Sequence, residues 1–553
     1  MDWINRNAPV VLLGIATAGA VALMLFLTRE MTFLQDTWEF LMNRRELTAD
    51  AWFRPHNEHI VVIPVAIEQL LLRVFGMTSA TPEFVLLAIA EAVTAILLFV
   101  YVRRRVGPWL ALFAAVILLF LGPAWEVLLW PFEISFVGSV LFGVAMLLAL
   151  DRNDRRGDIA ACAFLCLSFG FSSIGISFAA AAAVDVFLKR RSRGLSRSWV
   201  VAVPVALYAL WYLGWGMDAE THVSLRNALA SPRFVAESAA TAVASVVGLG
   251  TNPIGGSTQP LWGYAILVGL VIVFAYRQTR KPGFVPGFWP VAAAAATNWF
   301  LTALNQVPGR DPSSSRYQYM GAVLVLLLLA NLLQGVRFGR RAIVAMGMLA
   351  TAAVAVNVVV LENGRDNFQF QSELTRADLG ALEIARRTVD PQFSLTPEIA
   401  GTPTLIDVRA DKYFEAVREY GSPAYTPSEL VGAPDYGRRQ ADIVLSYALP
   451  VTTTTTTGVA VAAGSPRGSG RDCLTVPGDS ASELRVVPGV TRIELAPGPP
   501  ASISLRRFAT GEYPIVADDT PGNSVTLLQV PYDNAPQPWR LQVTASQRAR
   551  VCR

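Results

Sequence analysis

The stretch FVLLAIAEAVTAILLFVYV, Phe84 to Val102, is followed at once by Arg103, Arg104 and Arg105. It holds one charged residue, Glu91. Wound as a helix, a block of this length crosses a hydrocarbon core of about 30 Å. A helix also satisfies its own backbone groups, which lipid cannot do. The three arginines then close the block on one side. Similar blocks recur along the chain, so the protein reads as a polytopic α-helical membrane protein. Composition agrees. Of 553 residues, 53% are hydrophobic and 16% charged, against about 25% charged in a soluble domain.

The net charge of +4 carries little meaning by itself, because Lys and Arg are clustered. RRR at Arg103, DRNDRR at Asp151, KRRSR at Lys189, RQTRK at Arg277 and RFGRR at Arg337 each end an apolar block. Short basic loops beside spans mark the cytoplasmic side. Nucleic-acid binding is therefore not implied.

That rule sets the expected topology. The first span lies near 10–27, with Asn5 and Arg6 before it on the cytoplasmic side. It is read as an anchor, since it is too long for a cleaved signal and lacks a clear cleavage site. Two apolar segments follow, IVVIPVAIEQLLLRVFG and the Phe84 block. If both crossed, RRR and every later basic loop would fall outside. The first carries Glu68, Gln69 and Arg73 within two turns, the composition of a helix lying in the interface plane. The second crosses, near 83–102. Further spans are expected near 108–122, 132–150, 159–172, 174–188, 198–214, 261–276, 284–304, 317–335 and 342–361, about eleven in all. Residues 1–361 form the transmembrane domain, with an outer loop 29–81 bearing interfacial helices. Within the outer loop 215–260, PRFVAESAATAVASVVGLG reads as a re-entrant or surface helix.

Residues 362–553 change character and are expected outside. They begin helically, over 366–400. Short β-type runs follow, ADIVLSYAL, VTRIELA, ASISLRRF, SVTLLQV and WRLQVTA, separated by Pro, Gly and Asp. This reads as an extracytoplasmic, mainly-β domain of sandwich type. The tract VTTTTTTGVAVAAG is low in complexity, but Thr favours strands. Cys162 and Cys166 sit in an apolar block as buried thiols. Cys473 and Cys552 lie in the outer domain, where a disulfide between them is expected.

Polar groups at the mouth of a membrane bundle are costly unless paired or used. One cluster follows the first span and includes Asp36, Glu39, Arg54, His56, Glu58 and His59. The other is Arg310, Arg316, Tyr317 and Tyr319, in GRDPSSSRYQYM. Asp36 has apolar neighbours Phe33, Leu34, Trp38 and Phe40. It reads either as a general base with a raised pKa or as the N-cap of a short helix. His56 and His59, three apart, share a face if helical. They suit hydrogen bonds to a phosphate or sugar hydroxyl, or a structural helix entry, better than a metal, which wants further ligands. Arg310 and Arg316 suit a phosphate. They stand outside, where topology gives basic residues no reason to be. Tyr317 and Tyr319 open a span, as aromatic belts do.

The order of these parts resembles GT-C glycosyltransferases. An apolar first span is followed shortly by Asp36. Next comes the segment PHNEHIVVIPVAIEQLLLRVFG, then a span ending in basic residues before Gly. The nearest branch holds protein O-mannosyltransferases and bacterial aminoarabinose transferases, and SRYQY after an outer loop adds to the likeness. It covers residues 1–361. Where many members carry paired acidic residues this chain has QDTWE, and HNEH replaces the paired prolines. The resemblance implies an enzyme that takes a sugar from a polyprenyl-phosphate donor and passes it to a glycan, lipid or protein acceptor on the outer face. Asp36 falls where the family places its catalytic base. Glu39, Arg54, His56, Glu58, His59, Arg310, Arg316, Tyr317 and Tyr319 are the expected substrate-binding residues. Some relatives use a divalent metal and others none; Asp36, Glu58 and the histidines are the ligands this chain could offer, and no metal ligand is assigned. A transporter or flippase of lipid-linked sugars is the alternative, as is a non-catalytic scaffold. A transporter should place charges at mid-span, whereas here they collect at the outer mouth.

Overall fold

The computed structural model describes residues 2–189, 195–250, 260–280, 287–396, 399, 405, 408–449, 451–457, 473–510, 515–533 and 535–552. The chain forms two compact units. The first comprises residues 1–30, 44–71 and 81–368, and the second residues 31–43, 72–80 and 369–553.

The first unit is helical. Helices stand at all eleven expected positions, from Asp2–Thr28 and Thr81–Val106 to Ser315–Leu332 and Arg340–Ile384. Among the described residues six are long and apolar enough to cross a membrane. A seventh is added if the pair Pro108–Leu119 and Gly122–Leu129, bent by 43°, counts as one broken span. The remaining helices, such as Arg155–Phe171 and Gly175–Leu188, have 17 and 14 residues. The two are separated by the break at Ser172–Ile174, where Ser172 is extended.

Close packing explains some of the small residues. A Cβ on Gly138 would lie 2.3 Å from the Phe171 ring, and one on Gly143 would lie 2.3 Å from the Phe178 ring. Glycine at these two turns lets helix Ile134–Leu150 seat aromatic side chains from its neighbours. The helix Leu225–Val246, expected to be re-entrant or on the surface, packs among Pro260–Arg280, Phe288–Leu304 and Ser315–Leu332. Its second half, from Ser238 to Val246, is buried.

Charged groups at the basic ends of the helices find partners there. Arg105 donates to Asp151 at 3.0 and 3.1 Å and to Asn331 Oδ1 at 2.8 Å. Asn331 in turn donates to the Tyr101 hydroxyl at 2.9 Å. Arg197 is 4% exposed and grips Asp158 at 2.6 Å, with Asp185 at 3.6 Å. Asp185 also meets Lys189 at 2.7 Å. Each of these residues belongs to an end that alternation places on the basic side. Their mutual contacts show that those ends share one side of the bundle.

The second unit combines helices with two antiparallel sheets. Helix Asp36–Asn43 buries Trp38, whose indole donates to the Phe33 carbonyl at 3.0 Å. The Trp38 ring lies 6.2 Å from Tyr413. Gly76, the glycine of VFG, has φ +73°, and a Cβ there would meet the Tyr420 carbonyl oxygen at 2.6 Å. Only glycine accepts that backbone and that approach. Helix Arg340–Ile384 runs 45 residues without a break, through the end of the last expected span and into the helical segment expected after it.

ADIVLSYAL is a correction: it is not a strand but part of helix Asp435–Ala448. Its buried residues Ala441, Val444, Leu445 and Ala448 recur at i, i+3, i+4 and i+7, the period of one helix face. The other runs are strands. One sheet has the order 480–486, 539–545, 501–506, 515–520; the other 452–457, 524–530, 489–495, 549–552, 473–476. The threonine tract is the edge strand Thr452–Thr457, and residues 458–464 of that tract lie outside the described residues. Alternate side chains such as Ile503, Leu505, Leu541 and Val543 are buried, as on the inner faces of a sandwich. Cys473 and Cys552 face each other across neighbouring strands and are bonded. Asp442 joins helix to sheet. Its carboxylate accepts backbone N–H groups of Arg507, Phe508 and Ala509 at 2.9 to 3.1 Å. Burial pushes its pKa up to about 6 against the pull of those three donors.

Two outcomes test this unit. Asp442→Ala strands three buried N–H groups, each costing about 1–3 kcal/mol. A loss of at least about 3 kcal/mol is expected in the denaturant unfolding of the second unit, read by near-UV circular dichroism. Cys473→Ser, or reduction, opens a loop of 79 residues and should cost about 2–4 kcal/mol. Non-reducing peptide mapping of the wild type should recover the two cysteines as one linked species.

Candidate functional site

The site of the first unit is built on a tight turn. His56 N–H donates to the His59 carbonyl at 3.0 Å, and His59 N–H returns the bond at 2.9 Å. Asn57 and Glu58 form the tip, with Asn57 at φ +49°, a conformation that asparagine tolerates. The two histidines therefore do not share a helix face, which corrects that expectation. Helix Ala49–Phe53 ends at Arg54 and the next begins at Val62. Pro55 at the start of the intervening segment fits this, because the residue before proline disfavours the helical region. Arg44, 2% exposed, donates to the Arg54 and Pro55 carbonyls at 2.7 and 2.9 Å and pins the base of the turn. Gln69 from the amphipathic helix Val62–Phe75 holds the Arg44 carbonyl at 2.7 Å. The His56 and His59 rings pack against Phe132 and Phe136 at 5.0 and 5.3 Å.

The turn presents Glu58 and His59 to a cavity of about 220 Å³ inside the unit. The Ser173 hydroxyl donates to the Glu58 carbonyl at 3.2 Å and accepts from Tyr208 at 3.2 Å. The Glu58 carboxylate pairs with Arg310 at 3.1 and 3.3 Å. Arg316 also borders the cavity and pairs with Glu126. One Glu126 oxygen takes the Arg316 backbone N–H at 3.1 Å and its Nε at 3.3 Å. The Glu126 N–H donates to Ser315 Oγ at 3.0 Å. This exchange caps helix Ser315–Leu332 with a carboxylate, favourable at a helix N-terminus.

Burial is the largest influence on Glu58 and works to raise its pKa, yet His59, Arg310 and Asn305 beside it outweigh that and hold the carboxyl below its usual range. Burial lowers the pKa of His59, and His56 and Arg310 add to that, against the pull of Glu58. The pattern is an ionised Glu58 on Arg310 beside a neutral imidazole.

The expected site residues thus separate. Glu58, His59, Arg316 and Tyr317 line the cavity, and Arg310 reaches it through Glu58. His56 faces Phe132. Arg54 lies by Asp50 at 3.7 Å and borders a different hollow, of about 300 Å³, with Trp215 and Asp218. Tyr319 is 1% exposed and does not line the cavity, since positions i and i+2 of a helix point apart. Asp36 and Glu39 belong to the second unit. The sequence reading missed Glu126, Ser173, Tyr208, Asn298, Thr302 and Asn305. Glu126 carried a signal, an acidic residue in the break between two expected spans. The others are neutral residues near span ends, with nothing to mark them. Among the described residues no three His, Cys, Asp or Glu side chains are grouped to hold a metal.

No family model and no curated protein matches the sequence. Among solved structures the chain is similar to ArnT from Cupriavidus metallidurans. The form bound to undecaprenyl phosphate shows 13% identity over 76% of this chain and 90% of that one, with a TM-score of 0.45. The apo form shows 12% identity over 82% and 94%, with a TM-score of 0.46.

A pH titration tests the buried imidazole. The folded state holds His59 neutral and the unfolded chain protonates it near 6.5. Stability is therefore complete above that value and falls as pH drops through it. His59→Gln should flatten this slope between pH 7 and 5 in thermal unfolding of the detergent-solubilised protein. An unchanged slope would show that His59 is protonated in the fold.

Proposed function

We propose that the protein is a GT-C-type glycosyltransferase of cell-envelope glycan assembly, which moves a sugar from a polyprenyl-phosphate donor to an acceptor hydroxyl at the outer face of the membrane. The observation that carries this reading is the cavity bordered by Arg316 and by the Glu58–Arg310 pair. It lies among helix ends that alternation assigns to the outer side, away from the basic ends. A lipid phosphate carries its charge at the membrane surface and its apolar chain within, so a cation at the outer rim of a helix bundle matches both. Charge-assisted bonds from guanidinium to phosphate are among the stronger polar contacts.

In the proposed reaction the acceptor oxygen bonds to the anomeric carbon. The bond from that carbon to the phosphate oxygen breaks, and the polyprenyl phosphate leaves with the electron pair. The acceptor proton passes to a base. Asp36 is proposed for that role, from its place after the first span. Its local setting is the first turn of helix Asp36–Asn43, ahead of the buried Trp38. Arg316, oriented by Glu126, stabilises the leaving phosphate, with Arg310 behind Glu58. No step is routed through a metal. The C-terminal domain, proposed to stand outside, meets the acceptor or a partner.

Membranes carrying wild-type protein or Asp36→Asn, given labelled polyprenyl-phosphate sugars, test the reading. A loss of about 10²–10⁴-fold in transfer is expected for a general base. Equal transfer by the two rejects Asp36. Movement of lipid-linked sugar across the membrane with no transfer would mean a flippase.

A further inference from the structure

We infer, resting on the glycosyltransferase reading above, that the sugar this cavity accepts is a single uncharged ring, a neutral hexose or pentose, gripped by a stripe of Asn298, Thr302 and Asn305. Size is the first argument. A cavity of about 150 Å³ holds benzene, so about 220 Å³ gives room for one substituted six-membered ring.

The lining is the second argument. Asn298, Thr302 and Asn305 fall at i, i+4 and i+7, on one face of helix Phe288–Leu304 and its C-cap. That spacing puts one amide or hydroxyl per turn along the cavity wall, and all three line it. The wall is anchored. Thr302 bonds back to the Asn298 carbonyl at 2.9 Å, and Asn305 Oδ1 accepts the His222 N–H at 2.7 Å. Neutral donors and acceptors in a row suit hydroxyl groups, and rejecting a ring that cannot pair with them needs no further device.

Charge balance is the third argument. Glu58, the carboxylate that lines the cavity, is engaged by Arg310, and Arg316, which also lines it, is engaged by Glu126. His59 is buried and held neutral. An ammonium on the sugar would have to draw a carboxylate from its arginine, and a lone buried charge is costly. A uronic acid would add a second negative charge to that of the phosphodiester, beside Glu58 and Glu126.

The test separates binding from transfer. Purified full-length protein in detergent is given three short-chain prenyl-phosphate sugars: a neutral hexose, an amino sugar and a uronic acid. Binding is read by tryptophan fluorescence and transfer by release of prenyl phosphate. The neutral donor should bind at least tenfold more tightly than either charged one. Asn298→Asp should narrow the gap to the amino sugar and widen it to the uronic acid. Equal or tighter binding of a charged donor, or binding of none, overturns the neutral-ring assignment. Preferential binding of the neutral donor with no transfer to any acceptor would support that assignment and overturn the glycosyltransferase reading.

Discussion

A charge inside an apolar bundle has to be neutralised where it stands. The ion pairs Glu58–Arg310 and Glu126–Arg316 meet this demand at the cavity. Each ties together elements far apart in sequence, by 252 and 190 residues. The HNEH turn, the broken segment around Trp125 and the late loop before Ser315 are thereby drawn to one place. Remove the pairing and the cavity loses both its rim and its electrostatic balance. What remains on the wall is neutral, which gives the cavity its selectivity for hydroxyl groups in the reading proposed above.

The same demand acts at the other end of the bundle with a different outcome. Arg105, Asp151 and Asn331 pair with one another, as do Arg197, Asp158, Asp185 and Lys189. Those networks fasten helix ends and leave their charges engaged in structure. The groups around Glu58 and Arg316 border a cavity. The difference between scaffold and site lies in the space left beside the pairs, since both ends use the same residue types.

The second unit uses other means. A buried carboxylate, Asp442, collects three backbone donors where a helix meets the sheet. Arg507 pairs with Asp533 at 2.9 Å and lies over Trp539 at 4.4 Å. The disulfide links adjacent strands of one sheet. Gly76 of VFG carries a positive φ against the Tyr420 carbonyl, so a motif noticed by resemblance has a steric cause within this unit.

Apolar block length and basic flanks determined that the chain is a multi-pass helical membrane protein, and alternation of strand-type runs announced the β region. These are local properties, because lipid burial and strand pleating act on every residue in a window. The misreadings share the opposite cause. ADIVLSYAL suits either element by composition, and its packing partners chose the helix. His56 and His59 became a turn because Arg44 holds the carbonyls beneath it. Breaks at Ser172 and around Phe120 interrupt the helices without showing in hydropathy. Only tertiary structure decided which polar residues share the cavity. Ser173, Asn298 and Asn305 are unremarkable in sequence and come together only when distant helix ends pack, because a site is made by contacts that no sequence window contains.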